Sequence, residues 1–126
     1  MTLEHPFADL VGFSVSERTE KQCVTELTLE KKYLNPNGVV HGGVLYTLAD
    51  TGMGGALMET LPAGHYCATI EIKIAYFRPA KEGTVRCVTE LVHLGRRTAS
   101  LESRLELGGK TLARAYGTFM ILSHDG

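Results

Sequence analysis

The sequence predicts an α+β domain in which a curved antiparallel sheet is wrapped around one long central helix. From Gly42 to about Leu61, apolar residues recur at steps of three and four positions, as on a helix with a wide apolar face. After Gly64 the pattern changes to period two, and turns that contain Gly or Pro then separate strand-length segments. The 126 residues suffice for one globular domain, which we expect to span 1–126.

The elements before the long helix are short. His5 to Val11 is a helix candidate that tolerates Pro6 near its start and ends at Gly12. Two weakly alternating strands are predicted next, over 12–17 and 22–30. Inside the long helix, glycine residues lower the helix propensity and therefore indicate close approach of another backbone; they are Gly52, Gly54 and Gly55.

Four longer strands are predicted after the helix. In the first, one face carries Ala68, Ile70, Ile72, Ile74 and Tyr76, and the other carries Thr69, Glu71, Lys73 and Ala75. A turn over 79–83 ends this strand, and three more strands follow over 84–94, 98–107 and 111–122. Tight turns between consecutive strands predict an antiparallel meander.

Charge and cysteine usage limit the classes of partner. The formal charge of −1, from 13 basic and 14 acidic residues, gives no electrostatic footprint for nucleic acid or an anionic membrane. We therefore expect a small-molecule substrate. Cys23, Cys67 and Cys87 are widely spaced, which favours reduced thiols in the cytoplasm over a disulfide framework. We also expect no signal peptide and no membrane-spanning segment.

The stretch from Asn35 to Asp50 carries the strongest functional signal. Asn35-Pro-Asn-Gly38 predicts a tight turn, and the two glycines after His41 leave backbone N–H groups unobstructed where the long helix begins. The first N–H groups of a helix have no partner inside it, and the helix dipole adds partial positive charge there. This helix end is therefore suited to a carbonyl oxygen or an oxyanion.

Asp50 is a lone carboxylate on an apolar helix. It lies next to Leu48, Ala49 and Met53, where burial of a charge is costly. A purely structural role is possible, but this setting favours catalysis. Eight residues at about 1.5 Å per residue place Asp50 roughly 12 Å beyond Gly42. One helix cannot bring both groups to one carbon atom, so a shared site requires neighbouring copies of the chain, as in a closed twofold dimer.

Other chemistries fit the sequence less well. His41 has no other histidine at metal-ligand spacing, so no metal site is predicted, and a role limited to the turn stays open for it. The glycines around Gly54 resemble a phosphate loop, but they lie inside the helix pattern and follow no strand. No Gly-x-Ser-x-Gly elbow is present, and the cysteines lie in strand-like or turn contexts, so neither Ser nor Cys is expected to be the nucleophile.

The chain resembles the hotdog-fold acyl-CoA thioesterases of the phenylacetate-degradation type, within the 4-hydroxybenzoyl-CoA thioesterase superfamily. The resemblance runs over nearly the whole chain. It rests on matching positions, which are Asn35, Gly38, His41-Gly42-Gly43, Leu48-Ala49-Asp50 and the segment from Thr69 through Pro79 to Gly83. The hotdog fold that it implies is named for a helix wrapped in a sheet.

The resemblance also implies a role for each candidate site residue. Gly42 would provide the backbone N–H that polarises the thioester carbonyl. Asp50 of the other subunit would be the nucleophile or the base that activates water. Asn35 and His41 look like the pair that arranges the turn and the thioester or the lytic water, and Thr69 stands where the family has a Ser or Thr near the carboxylate.

Three arginine residues at predicted turns are candidates for binding coenzyme A. Each of Arg78, Arg96 and Arg97 could be solvated surface charge, but guanidinium groups suit phosphate recognition, and the resemblance places coenzyme A contacts at such turns. Arg97 is the best single candidate. Coenzyme A would enter as part of the substrate, and no separate cofactor is expected.

We therefore expect hydrolysis of an acyl-CoA thioester by a homodimer with shared active sites, which assembles further into a homotetramer as a dimer of dimers. Two alternatives stay open. One is a non-catalytic acyl-CoA binding or sensing module on the same fold, and the other is a hotdog dehydratase that acts on hydroxyacyl thioesters. The sequence does not specify the acyl group, for which Tyr46, Met53 and Met58 are pocket candidates.

Overall fold

The computed structural model describes residues 4–124, which form two α-helices, a short 3-10 helix and a six-stranded sheet. In chain order the elements are α1 (Pro6–Val11), β1 (Ser14–Thr19), β2 (Gln22–Thr28), the 3-10 helix (Lys31–Tyr33), α2 (Gly42–Thr60), β3 (His65–Tyr76), β4 (Thr84–Leu94), β5 (Thr98–Leu107) and β6 (Lys110–Ser123). Residues 1–3 lie outside the described residues. They belong to the N-terminal segment in which we expect no signal peptide. Within the described part of the chain, no helix has both the length and the apolar character needed to cross a membrane.

The sheet is antiparallel, with the strand order β1-β2-β4-β5-β6-β3, and it curves around α2. The predicted hotdog fold is confirmed, and so is the predicted meander for β4, β5 and β6. The predicted meander also places β3 beside β4. This part of the prediction is wrong, because β3 pairs with β6 while β4 pairs with β2. The connection from β3 to β4 does not fold back as a hairpin.

Backbone hydrogen bonds explain the course of this connection. The N–H groups of Phe77 and Arg78 both donate to the Leu112 carbonyl, at 2.8 and 3.2 Å, so the chain continues along β6 after β3 ends. The N–H of Val40 then donates to the Ala80 carbonyl at 2.7 Å. The connection is thereby tied to the loop that precedes α2, on the way to the far side of the sheet.

The core lies between α2 and the concave face of the sheet. The helix buries one stripe with the spacing of a helix face, which comprises Leu45, Leu48, Ala49, Gly52, Met53, Ala56 and Leu57. Leu48 and Leu57 are fully buried. Each such leucine contributes about 1.5–3 kcal/mol relative to an exposed position, which is why the sheet wraps this helix closely.

The glycines of α2 contact side chains of the sheet and not another backbone. A Cβ on Gly52 would lie 2.5 Å from Thr89 Oγ1, and a Cβ on Gly55 would lie 2.8 Å from Cys23 Sγ. Gly54 has ordinary space, since the nearest atom would be 3.9 Å away. The predicted approach of another backbone is therefore wrong: at Gly52 and Gly55 the close neighbours are side chains of the sheet, and at Gly54 no atom comes close.

A β-bulge interrupts β3 at Ile70. Thr69 pairs with Phe119 of β6, and Glu71 pairs with the preceding residue Thr118, so Ile70 is one extra residue on β3. Ile70 is 50% exposed although it is apolar. Side chains alternate strictly between the two faces of a strand, so this one residue inverts the alternation on either side of it.

The bulge overturns part of the predicted alternation in β3. We expect Thr69 to face away from Ile72 and Tyr76, but all three lie on the side of β3 that faces α2. Thr69 stands opposite Phe119, which is buried, and Ile72 packs against the core beyond the bulge. The physical reason is the extra residue Ile70, for which strict period two makes no allowance.

The two helix glycines Gly52 and Gly54 provide a matched test of this packing. Gly52→Ala should lower the free energy of unfolding by about 1–3 kcal/mol, because the new methyl group overlaps Thr89. Gly54→Ala should raise it by up to about 1 kcal/mol, because alanine favours the helix and meets no obstacle. Urea unfolding followed by circular dichroism measures both. Equal effects of the two substitutions would contradict the packing described here.

Candidate functional site

Helix α2 begins at Gly42, and His41 is its N-cap. His41 Nδ1 accepts a hydrogen bond from the Gly43 N–H at 2.8 Å, and the His41 carbonyl accepts one from the Val44 N–H at 2.9 Å. These bonds provide partners for two of the first three N–H groups of α2, those of Gly43 and Val44. The third N–H group, that of Gly42, has no partner in the cap. It lies in the first turn, where N–H groups have no partner inside the helix and the helix dipole is positive.

Asn35 organises the loop that leads into this cap. Its Oδ1 accepts hydrogen bonds from the N–H groups of Asn37 at 2.9 Å and Val39 at 3.3 Å, and its own N–H donates to the Val39 carbonyl at 2.7 Å. Gly38 has φ +78°, in the left-handed region that favours glycine. The predicted tight turn is therefore confirmed, and the Asn35 side chain stabilises it.

Asp50 and Thr69 are in direct contact. Thr69 Oγ1 donates a hydrogen bond to Asp50 Oδ1 at 2.7 Å. Asp50 is half-buried, and its helix neighbours Leu48 and Ala49 are fully buried, so α2 holds the carboxylate at the edge of the core. A hydrogen bond to an ionised carboxylate is about twice as strong as one between neutral groups. This hydrogen bond fixes Oδ1 of Asp50 and does not involve Oδ2.

The three cysteine thiols are held in the protonated form, and one of them, Cys67, lies near the Asp50 carboxylate. Burial raises the pKa of Cys67, and the negative charge of Asp50 raises it further, while Arg18 opposes the rise. Burial also raises the pKa of Cys23 to about 11 and raises that of Cys87. Since the thiolate is the reactive form of cysteine, these shifts are consistent with the expectation that no cysteine is the nucleophile.

Tyr76 is a site residue that the sequence does not single out. Its hydroxyl donates a hydrogen bond to the Gly42 carbonyl at 2.8 Å. Burial raises the pKa of Tyr76, and Tyr46 adds to the rise, so the hydroxyl keeps its proton and remains a donor. The one available signal is the position of Tyr76 at the end of the apolar face of β3, next to the turn.

Two cavities flank the first turn of α2. One of about 380 Å³ is lined by residues that include Asn35, Gly42, Tyr76 and Arg78. The other, of about 330 Å³, is lined by residues that include Lys32, Tyr33, His41 and Gly43. Neither of these cavities reaches Asp50 or Thr69.

Within one chain the site residues therefore form two separate groups. The Gly42 group consists of Asn35, His41, Gly42 and Tyr76. The Asp50 group consists of Asp50 and Thr69. Eight residues of helix separate the two groups by roughly 12 Å, as the sequence predicts.

The three arginine candidates are exposed and do not lie together. The carbonyl of Arg97, next to Arg96, accepts a hydrogen bond from the Ile121 N–H at 2.8 Å, and Ile121 pairs with Cys67 near the start of β3. Arg78 follows the other end of β3. A strand of 12 residues is about 36 Å long, so one chain cannot use these arginines to hold one ligand.

The three predicted pocket residues have different environments. Met53 is fully buried, and its Sδ would lie 2.5 Å from a Cβ on Gly117 of β6. It is therefore a core residue. Tyr46 and Met58 are half-buried, and both stay candidates for contact with an acyl group.

Comparison with known proteins gives consistent findings. A family model described as Thioesterase superfamily matches residues 37–113. A conserved Pseudomonas aeruginosa protein of known structure is 33% identical, with a TM-score of 0.90 over 94% of this chain and 95% of that chain. A mutant of the phenylacetic acid degradation protein PaaI from Thermus thermophilus is 28% identical, with a TM-score of 0.85 over 92% and 98% of the two chains. A Pseudomonas aeruginosa protein named "Putative esterase" is 32% identical over 116 residues, which are 90% of this chain and 87% of that protein.

Proposed function

The chain belongs to the thioesterase superfamily, and on that premise we propose that it hydrolyses an acyl-CoA thioester to the free acid and coenzyme A. Membership supports hydrolysis of a thioester. The observation that carries the finer proposal is the pair of groups on α2, namely the Gly42 N–H that the cap leaves open and the Asp50 carboxylate held by Thr69. The chain supplies both groups, so the reaction needs no cofactor, and coenzyme A enters only as part of the substrate.

In this mechanism the Gly42 N–H donates a hydrogen bond to the thioester carbonyl oxygen. The bond strengthens as negative charge develops on that oxygen, an effect typically worth about 3–4 kcal/mol. Asp50 either attacks the carbonyl carbon, to form an anhydride that water then hydrolyses, or removes a proton from water that attacks the same carbon. Coenzyme A leaves as the thiolate. Thr69 keeps Asp50 Oδ1 fixed while Oδ2 reacts.

His41 and Asn35 act by orientation. Because His41 Nδ1 accepts the Gly43 N–H, the proton of the neutral ring lies on Nε2. Nε2 can therefore donate to the thioester or to the lytic water beside the cavity that His41 lines. Asn35 fixes the loop that carries His41 and lines the cavity that Gly42 shares.

A homodimer brings the two groups of site residues together. Within residues 4–124, β3 pairs only with β6 and is an edge strand of 12 residues. Exposed edges of this length are rare unless a partner covers them. Large apolar residues on and just after β3 are also exposed, namely Tyr66 at 37%, Ile70 at 50%, Tyr76 at 50% and Phe77 at 57%. These features support antiparallel pairing of β3 with β3 of a second copy.

The site chemistry selects one register for this pairing. Thr69 contacts Asp50, and Tyr76 contacts Gly42, so the two groups meet where Thr69 of one copy stands opposite Tyr76 of the other. Both side chains face α2, and directly opposite residues of an antiparallel pair share a face, as this register requires. Because each copy carries the extra residue Ile70, the twofold axis would pass through Lys73, which would stand opposite Lys73 of the other copy.

The same register would unite the arginine candidates. It places Arg78 of the second copy opposite Cys67. Cys67 pairs with Ile121 of β6, and the Ile121 N–H donates to the carbonyl of Arg97, so Arg96 and Arg97 lie close to this position. Guanidinium groups from both copies would then surround one end of each shared site, where they can bind the phosphates of coenzyme A. The face of the sheet away from α2 exposes Tyr116 at 48% and Met120 at 43%, which supports association of two dimers into a homotetramer. Free thiols at all three cysteines support a cytoplasmic location.

The two alternatives have less support. A non-catalytic acyl-CoA binding module has no need of a carboxylate at the edge of the core, because a charge there is costly. A hotdog dehydratase usually needs a different constellation of histidine and carboxylate in its site. Neither alternative accounts for Asp50 beside Thr69 as simply as hydrolysis does.

Asp50→Asn tests the chemistry. We expect the rate of thiol release from acyl-CoA to fall by at least about 10²-fold with fold and dimer intact, because an amide is neither a nucleophile nor a base. A thiol reagent measures release from aromatic, short-chain and long-chain acyl-CoA substrates. Asp9→Asn on exposed α1 is the matched control and should keep the parent rate. Parent turnover in well-folded Asp50→Asn would rule out the assigned role.

Arg97→Ala tests the coenzyme A contact. KM for an acyl-CoA should rise more than kcat falls, because the arginine would bind the ground state and the transition state alike. The same variant should leave hydrolysis of the matching acyl-pantetheine unchanged, since that substrate lacks the nucleotide phosphates. Arg86→Ala, which removes an arginine paired with Glu106, is the control for loss of a surface charge. Equal effects on both substrates would show that Arg97 binds no phosphate.

Complementation between two inactive variants tests the shared site. Gly42→Pro removes the Gly42 N–H, and proline is tolerated at the first helical position. Mixed with Asp50→Asn, it should give heterodimers with one intact site and one site that lacks both groups. In an equimolar mixture, activity should return towards about one quarter of the parent value once subunit exchange is complete, because about half of the dimers are then heterodimers and each of these has one of its two sites intact. Because Tyr76 lies close to Gly42, circular dichroism first establishes that Gly42→Pro folds. If subunit exchange is proven and the mixture stays inactive, the Gly42 N–H and Asp50 act within one chain or do not act together, and the shared site is ruled out.

A further inference from the structure

We propose that Tyr76 is a positioning residue that sets the orientation of the Gly42 N–H. This inference rests on the proposed function, because it concerns the amide that would polarise the thioester carbonyl. Tyr76 acts through the Gly42 peptides and does not touch the reacting atoms. Three features of the structure lead to it.

The first feature is the hydrogen bond from the Tyr76 hydroxyl to the Gly42 carbonyl, at 2.8 Å. In a helix this carbonyl also accepts the N–H of Tyr46 one turn later, and a carbonyl oxygen has two lone pairs for two donors. Glycine has the widest choice of backbone dihedral angles, so the first helical residue is the point where the amide direction is least determined. The bond from the Val44 N–H to the His41 carbonyl holds the peptide before Gly42, while Tyr76 and His41 Nδ1 hold the two ends of the peptide after it.

The second feature is the closeness of the ring to the Gly42 Cα. A Cβ on Gly42 would lie 3.0 Å from both Cζ and the hydroxyl oxygen of Tyr76. The ring therefore occupies the space of any side chain at position 42. Tyr76 thus accounts for the glycine at this position, and the absence of a side chain keeps the N–H open to the substrate.

The third feature is that the same strand holds both halves of the site. Through the bulge at Ile70, β3 presents Thr69 to Asp50 and Tyr76 to Gly42 on one face. Each hydroxyl donates to an oxygen of α2, one at the carboxylate and one at the helix start. β3 therefore acts as a template that sets both reacting groups relative to the strand edge.

Tyr76→Phe removes the hydroxyl and keeps the ring. Loss of a whole oxyanion donor typically costs about 10²–10³-fold in kcat, so misdirection of a donor that is still present should cost less, about 5–20-fold. KM should change by less than twofold, because the amide acts mainly on charge that develops in the transition state. Tyr116→Phe is the matched control, since Tyr116 is 48% exposed against 50% for Tyr76 and lies on the other face of the sheet. It should leave both constants unchanged.

A merely structural role would give a different pattern. It predicts a lower melting temperature with kcat and KM unchanged at a temperature where the protein is folded, and that result would overturn the proposal. Equal kcat in Tyr76→Phe and Tyr116→Phe would overturn it as well. A selective fall in kcat with the melting temperature within about 2 °C of the parent would support it.

A double-substitution cycle tests the second feature. Gly42→Ala should lower kcat strongly in the parent protein, where the new methyl group meets the Tyr76 ring, and much less in a Tyr76→Ala background, where the space is open. Strictly additive effects would show that the ring does not restrict position 42.

A spectroscopic measurement separates this inference from the proposed reaction. In 15N-labelled protein, the amide resonances of Gly42 and Gly43 should shift in Tyr76→Phe and stay in place in Tyr116→Phe. This measurement needs no substrate. If the resonances shift while the parent protein releases no thiol from any acyl-CoA, the positioning role stands and the proposed function fails. If they do not shift while the parent protein is active, the positioning role fails and the proposed function stands.

Discussion

The bulge at Ile70 is the feature on which the site geometry depends. Thr69 and Tyr76 are seven positions apart, and in a regular strand an odd separation places two side chains on opposite faces. One extra residue brings both to the face that packs on α2. Without it, either Asp50 would lose its hydrogen-bond donor or Gly42 would lose Tyr76. Bulges are common next to active sites because they redirect a side chain without a change of fold.

The packing of the core sets how closely α2 approaches β3 next to the bulge. Beyond it, Ile72 stands opposite Gly117, and the missing side chain of that glycine makes room for Met53 of α2. The helix can therefore approach β3 and β6 closely at its middle. Such an approach sets the height of the Asp50 carboxylate above the sheet, so the fit of Met53 against Gly117 contributes indirectly to the contact between Asp50 and Thr69.

Much of this arrangement follows from the sequence. Helix periodicity and glycine-rich turns predict α2 and four long strands. The segment from Asn35 to Asp50 predicts the site residues that lie on α2 and on the loop before it, but not Tyr76. The place of β3 in the sheet is not predictable in this way, because periodicity specifies the faces of a strand and not its neighbours. The bulge cannot be predicted from the sequence pattern either, since Ile70 has the same residue type as Ile72 and fits the same alternation. Two predictions from the sequence nevertheless disagree with each other. Strict alternation turns Thr69 away from the helix that carries Asp50, whereas the family resemblance places Thr69 near that carboxylate.

The location of Asp50 also has an electrostatic consequence. The dipole of α2 acts mainly within its first turn, and Asp50 lies more than two turns beyond Gly42, so in one chain the carboxylate does not occupy the positive helix end. In the proposed dimer, Asp50 of one copy faces the helix start of the other, where direct contact with the Gly42 N–H would block the place of the thioester oxygen. The bond from Thr69 to Oδ1 holds the carboxylate against β3 of its own chain. A gap is thereby kept between donor and carboxylate, and the carbonyl carbon of a thioester is the group that would fill it.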